Sequence, residues 1–172
     1  MNTLHNILLL LLFAAGFLLG IQIPNFIDQY QKRIDAHYIE ANENLSGFQK
    51  IADMFFNGSI DELIKKHESS TDEVFRSEAA PIRKILERKL HFERELQALQ
   101  TSLYGKIKHL TLAADREIID ETYNNYSATL PLNTDAIICG LSIGLVVALI
   151  FEGFILFFKS LFKSGRRAHK PA

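Results

Sequence analysis

The chain has 172 residues, enough for one ordinary domain, and 19 Lys+Arg against 20 Asp+Glu give a formal net charge of −1. The charges are unevenly placed: residues 1–23 carry none, residues 24–135 carry 14 basic and 19 acidic side chains, and residues 136–172 carry five basic and one acidic. That distribution excludes a basic nucleic-acid-binding domain, and a single cysteine, Cys139, excludes a disulfide-stapled fold.

The first apolar run covers residues 7–23, broken only by Gly16, Gly20 and Gln22. At 1.5 Å per residue it spans about 25 Å, the short end for a membrane helix. A cleaved signal peptide would need a positively charged start and a good small-x-small cleavage site before Pro24, and the chain offers neither. It is read as a retained span, residues 1–23.

Pro24 is expected to break or kink the chain as it leaves that span and to open a new helix. Beyond it Ile27, Ile34, Ala41, Phe48 and Phe55 recur every seven residues, with Tyr30, Tyr38, Leu45 and Ala52 alongside. Such a heptad line predicts a long helix with one sticky stripe. Ile27, Ile34, Phe48 and Phe55 are its candidate interaction residues. Asn57-Gly58 ends the helix, and Ser59-Ile-Asp-Glu62 is a capping box for a short helix to about His67.

A third long helix is expected from about Pro81 to residue 112, carrying Ile82, Ile85, Leu86, Phe92, Leu96, Leu99 and Leu103, with an interruption near Gly105. A last amphipathic piece follows Asp115. Residues 24–135 contain no useful strand signal. Two arms of equal length, 25–56 and 81–112, joined by a short elbow, predict an antiparallel helical hairpin or small bundle.

The second span, residues 136–158, is capped by Asn133-Thr134-Asp135 and followed by a basic tail, residues 159–172, with Lys159, Lys163, Arg166, Arg167 and Lys170. Positive charge on a short flank marks the cytoplasmic side. Both termini are therefore expected in the cytoplasm and residues 24–135 outside it, in the periplasm of a Gram-negative host. The alternation of Phe158, Leu161 and Phe162 with Lys159 and Lys163 also suits a helix lying along anionic lipid. The whole reads as an all-α membrane protein: two transmembrane helices joined by an extramembrane helical domain.

Each span holds a small-xxx-small motif, Gly16 with Gly20 and Gly140 with Gly144. The spacing puts both glycines on one face, where backbones can approach closely. In an antiparallel pair the two motifs fall in the same leaflet, serving either packing within one chain or self-association between chains. Glu152 is the carboxylate inside the second span, and His5 and Asn6 lie at similar depth on the first. Glu152 could contact His5 or Asn6, form a proton or ion site, or snorkel to the lipid interface.

The stretches PNFIDQYQKRIDAH, GFQKIADMFFNGSIDELIKKHESSTDEVFRSEAAPI and PLNTDAIICGLSIGLVVALI resemble an uncharacterised bacterial family, domain of unknown function 2937. The resemblance covers almost the whole chain in the same order. It implies a proteobacterial protein with two spans, and it implies no activity and no catalytic residues.

The residues themselves offer little chemistry. Glu87, His91 and Glu95 share a helix face, but a carboxylate-bridged metal site needs paired Glu-x-x-His motifs on facing helices, and an ordinary charged face with Arg88 and Arg94 explains the spacing. The chain carries no phosphate loop, and Gly140-Leu-Ser-Ile-Gly144, which has the Gly-x-Ser-x-Gly spacing, lies inside the second apolar run and not on a strand-to-helix elbow. Asn-x-Ser triplets at Asn44, Asn57 and Asn125 matter only in a secretory eukaryotic host. The expectation is a non-enzymatic protein without cofactor, touching membrane lipid and either a copy of itself or another membrane or periplasmic protein, in a scaffold or partner-binding role. An accessory or pore-forming transport subunit built on Glu152 is the alternative.

Overall fold

The computed structural model describes residues 3–165, with side chains described through Lys159. Among these residues there are six helices and no strand: α1 (Thr3–Phe55), α2 (Ile60–Glu68), α3 (Glu73–Ala98), α4 (Leu103–Leu112), α5 (Arg116–Asn124) and α6 (Thr134–Gly165). Both α1 and α6 contain stretches long and apolar enough to cross a membrane.

The chain divides into two compact units. Ile27–Tyr126 forms one; the residues up to Phe26 and those from Ser127 form the other. Residues 24–26 and 127–135 thus go with the two apolar helical stretches, and the hydrogen bonds say why. Asn25, buried, donates through Nδ2 to the Ser127 carbonyl at 3.1 Å and accepts from Thr129 Oγ1 at 2.9 Å. Gln22 Nε2 donates to the Thr129 carbonyl at 3.2 Å and to the Leu18 carbonyl at 3.4 Å. These amides hold the chain entering α6 against the apolar part of α1.

Pro24 does not end the first helix, which continues through it to Phe55. A proline inside a helix removes one hydrogen bond and costs about 3 kcal/mol. Here both sides of the ring are fixed by packing. Gly16 and Gly20 lie against α6, and beyond the proline one face of α1, Tyr30, Ile34, Ala41, Leu45 and Ala52, is buried in apolar clusters. One lost bond does not unseat a helix held along both flanks. The true stop is Asn57-Gly58, both at positive φ (48° and 84°), where the N–H groups of Phe56 and Gly58 return to the Ala52 carbonyl at 2.7 and 3.0 Å.

Half of the predicted capping box forms: Ser59 Oγ accepts from Glu62 N–H at 3.2 Å at the start of α2, while Ser59 N–H donates to the Phe56 carbonyl at 2.9 Å and not to the Glu62 side chain. The third helix begins eight residues before Pro81, because Asp72 Oδ1 accepts from Val74 N–H at 2.9 Å and opens the helix there. Pro81 lies within α3, between the buried Ala79 and Ile82. Nor does one helix run to residue 112. The break falls at 99–102, before Gly105, because Ser102 caps a fresh helix, accepting from Gly105 N–H at 3.4 Å. Gly105 sits inside the first turn of α4. Asp115 caps α5 by accepting from Glu117 and Ile118 N–H at 2.8 and 3.2 Å, and Asn133 caps α6 through Ala136 N–H at 2.8 Å.

Two apolar clusters fill the unit Ile27–Tyr126. Leu45, Ala52, Ile60, Leu63, Ile64, Ala79 and Ile82 join α1, α2 and α3. Tyr30, Ile34, Ala41, Phe92, Leu99 and Ile118 join α1, α3, the break after it and α5. On the solvent face of α1, a Cβ added at Gly47 would meet nothing within 4 Å. Gly47→Ala should therefore raise stability by about 0.5–1 kcal/mol, checked by denaturant unfolding, because alanine fixes the helix at lower entropic cost.

Candidate functional site

In the unit made by the two apolar helices, the four motif glycines are buried and face one another. A Cβ at Gly16 would sit 3.0 Å from Gly144 Cα. At Gly20 it would sit 2.8 Å from both Gly140 Cα and the Cys139 carbonyl oxygen. At Gly140 it would meet Ile21 Cγ2 at 2.7 Å, and at Gly144 the Phe13 carbonyl oxygen at 2.9 Å. The motifs meet each other within a single chain, numbers rising on one helix as they fall on the other. Such close backbone approach gains dispersion contacts that lipid does not oppose.

The same register brings His5 to Glu152, with Nε2 2.9 Å from Oε2. The pair is at ion-pair distance without the alignment of a hydrogen bond, so the buried Oε2 keeps an unfilled valence. His5 also stacks on Phe151, with ring centroids 6.1 Å apart. The structure brings together two of the three polar candidates, His5 and Glu152.

The second unit holds a polar network that periodicity alone does not disclose. Tyr30 is fully buried, and its hydroxyl donates to Glu95 Oε2 at 2.8 Å while accepting from Asp115 N–H at 3.1 Å. The same Glu95 oxygen lies 2.9 Å from His109 Nε2. Burial, and then the Glu95 carboxylate, push the Tyr30 phenol well above its ordinary value, so it stays a donor at any physiological pH. Asp115 lies 2.6 Å from His91 Nε2. Burial pulls its carboxyl upward, but His91 and the N–H groups of Ile118 and Glu117 outweigh that and hold it below the ordinary carboxylate range.

A second set surrounds His37. Glu121 on α5 takes His37 Nε2 on one oxygen at 2.8 Å and Arg33 Nη1 on the other at 2.7 Å. The His37 contact, opposed by desolvation and helped by Arg33, holds the Glu121 carboxyl below its ordinary value. These ties clamp α5, a nine-residue helix, to α1. Tyr30→Phe removes a donor from a buried carboxylate and strands the Asp115 N–H. It should cost about 1–3 kcal/mol, read in urea unfolding of the full chain.

The heptad line needs correcting. Ile27 and Ile34 are buried inside this unit and Phe48 packs on the first cluster, so those three positions are spent in the core and cannot form a docking stripe. The reason is that α2, α3 and α5 cover that face of α1. Phe55 alone stays outside, 72 % exposed. Met54 beside it and Val74 and Phe75 at the start of α3 are exposed as well.

Glu87, His91 and Glu95 do not converge: His91 turns to Asp115 and Glu95 to Tyr30 and His109. No group of three or more His, Cys, Asp or Glu side chains able to hold a metal occurs among the described residues. A 270 Å³ surface hollow beside Arg116, Ile119 and Asp120 gathers no such group either. Of the basic tail, Lys159 is exposed; the side chain of Lys163 and residues Arg166, Arg167 and Lys170 lie outside the described residues.

A family model described as "Protein of unknown function (DUF2937)" matches residues 4–164. No curated protein matches the chain, and no solved structure does.

Proposed function

The chain belongs to the DUF2937 family of proteins of unknown function, and from there we propose that it is a non-enzymatic protein of a bacterial inner membrane. In this reading it crosses twice and presents residues 27–126, an antiparallel helical bundle, to the periplasm as a scaffold that associates with a second copy of itself. The basic flank formed by Lys159, Lys163, Arg166, Arg167 and Lys170 supports cytoplasmic termini in contact with anionic lipid. A reporter inserted at Ser70 and active only in the cytoplasm should be silent, and activity there would invert the topology.

The observation that carries the association is the exposed apolar end of the unit. Contacts between α1 and α3 pair Tyr30 with Glu95, His37 with Phe92 and Glu40 with Arg88. Continued along both helices, that register brings Phe55 level with the start of α3. Met54, Phe55, Val74 and Phe75, all more than half exposed, therefore lie at one end of the unit. None carries a charge, so two copies can bury these residues against each other without stranding an ion, as a two-fold contact requires. Copy number in native-lipid particles tests this. Two or more chains are expected, falling to one in Phe55→Glu; a single native chain would remove the reading.

A second reading rests on the contact between His5 and Glu152. A carboxylate within a span, beside an imidazole and with a spare valence, is what a proton path through a transport subunit would use. Proton flux into liposomes that is lost in Glu152→Gln would favour it. Absence of flux in the native protein would leave the pair as a tie between the spans.

A further inference from the structure

We propose that His37 is a proton-operated joint at the meeting of α1, α3 and α5, which holds Arg88 when neutral and exchanges it for Glu40 when protonated. The proposal is independent of how the protein associates.

The ring is fixed on three sides. Nε2 faces Glu121 Oε2 on α5 at 2.8 Å. The ring stacks on Phe92 of α3, with centroids 5.2 Å apart and planes within 18°. Nδ1 lies 3.3 Å from Arg88 Nη2 of α3 and 3.7 Å from Glu40 Oε2 of α1. The charged groups around the ring are thus Arg33 and Glu40 from α1, Arg88 from α3 and Glu121 from α5. His91, next to Phe92, is turned to Asp115.

A guanidinium has donors only. Its hydrogen bond to Nδ1 therefore requires the lone pair there, with the ring proton on Nε2 donated to Glu121. Protonation fills Nδ1. The ring then presents N–H to a cation that also has only N–H, and the Arg88 contact turns from a hydrogen bond into a repulsion. Glu40 Oε2 is already placed to receive the new donor, and it lies 3.6 Å from Arg88 Nη2 as well. One carboxylate is shared by two groups whose mutual contact changes sign with a single proton. Glu121 accepts from Nε2 in both states, so α5 stays attached while Arg88 is released. Arg88 also lies over the Phe92 ring, 5.6 Å from its centroid, a contact made alongside the one to Nδ1 and not dependent on its lone pair.

Imidazole is the side chain whose ordinary titration falls between pH 5 and 8. Glu121 and Asp115 are held below the usual carboxylate range, so they remain ionised across that interval. The test is a pair of thermal melts of the full-length protein in micelles, at pH 8.0 and pH 5.5. Arg88→Met should lower Tm at pH 8.0, where it removes a hydrogen bond. At pH 5.5 it should lower Tm about 4 °C less, or raise it, because it removes a like charge. In a His37→Gln background the difference between the two pH values should vanish. An Arg88→Met effect of equal size at both pH values, or a difference that persists without His37, would overturn the proposal. Should Arg88→Met fail to fold, Glu40→Gln at an exposed position reads the other arm. It should lower Tm more at pH 5.5 than at pH 8.0, and the opposite order contradicts the exchange.

Discussion

Replacing Gly20 with leucine will force α1 and α6 apart. A single Cβ at that position would already lie 2.8 Å from Gly140 Cα and 2.8 Å from the Cys139 carbonyl oxygen, and both of those are backbone atoms that no rotamer change can move. Overfilling a tight contact typically costs about 1–3 kcal/mol and occasionally more; with backbone on the far side, the upper part of that range is expected. Gly140→Leu should be milder, since the nearest atoms it meets belong to the side chains of Ile21 and Phe17 and not to backbone. Gly153→Leu is the control, because a Cβ there meets nothing within 4 Å. Unfolding of the three variants in micelles should rank Gly20 worst, Gly140 next and Gly153 unchanged. Equal tolerance of Gly20→Leu and Gly153→Leu would mean that the glycines do not pack the helices of one chain.

Ile34→Ala should cost about 2–5 kcal/mol of folding stability. Ile34 is 0 % exposed among Tyr30, Ala41, Phe92 and Ile118, so truncation leaves a void that only partial collapse can fill. Phe55→Ala, at a more exposed position of the same heptad line, should leave the fold within about 0.5 kcal/mol of the native chain, the usual range for surface changes. The two are separated by denaturant unfolding of each variant. A small loss at Ile34 with a large one at Phe55 would reverse the assignment of inside and outside along α1.

That pair of residues shows where sequence reading stops. The heptad spacing of Ile27, Ile34, Ala41, Phe48 and Phe55 reports that one helix face is apolar, and it is. Spacing cannot report what covers the face, because an internal helix and a partner protein demand the same side chains. Pro24 and Pro81 mislead for a related reason. Proline's local penalty is legible, but the packing on both sides that holds a helix through it is a property of distant residues. The caps at Ser59 and Asn133 read correctly, since a cap is made within four residues of chain. Asp72 offers the same chemistry, yet the proline that followed drew the helix start away from it. The depth match between His5 and Glu152 was countable along two helices of known rise. The contacts of Tyr30 with Glu95 and of His37 with Glu121 were not, because each joins residues at least 65 positions apart whose helices had no independently known register.

Self-association through the exposed end of the 27–126 unit is tested most directly by photo-crosslinking in native membranes, with a benzophenone side chain at position 55 and, separately, at position 34. Position 55 should yield a chain-to-chain product, identified by mass spectrometry as residues near 54–55 and 74–75 of a second copy. Position 34 should yield only products within one chain. A position-55 probe that captures lipid alone, or a different protein in place of a second copy, would contradict it.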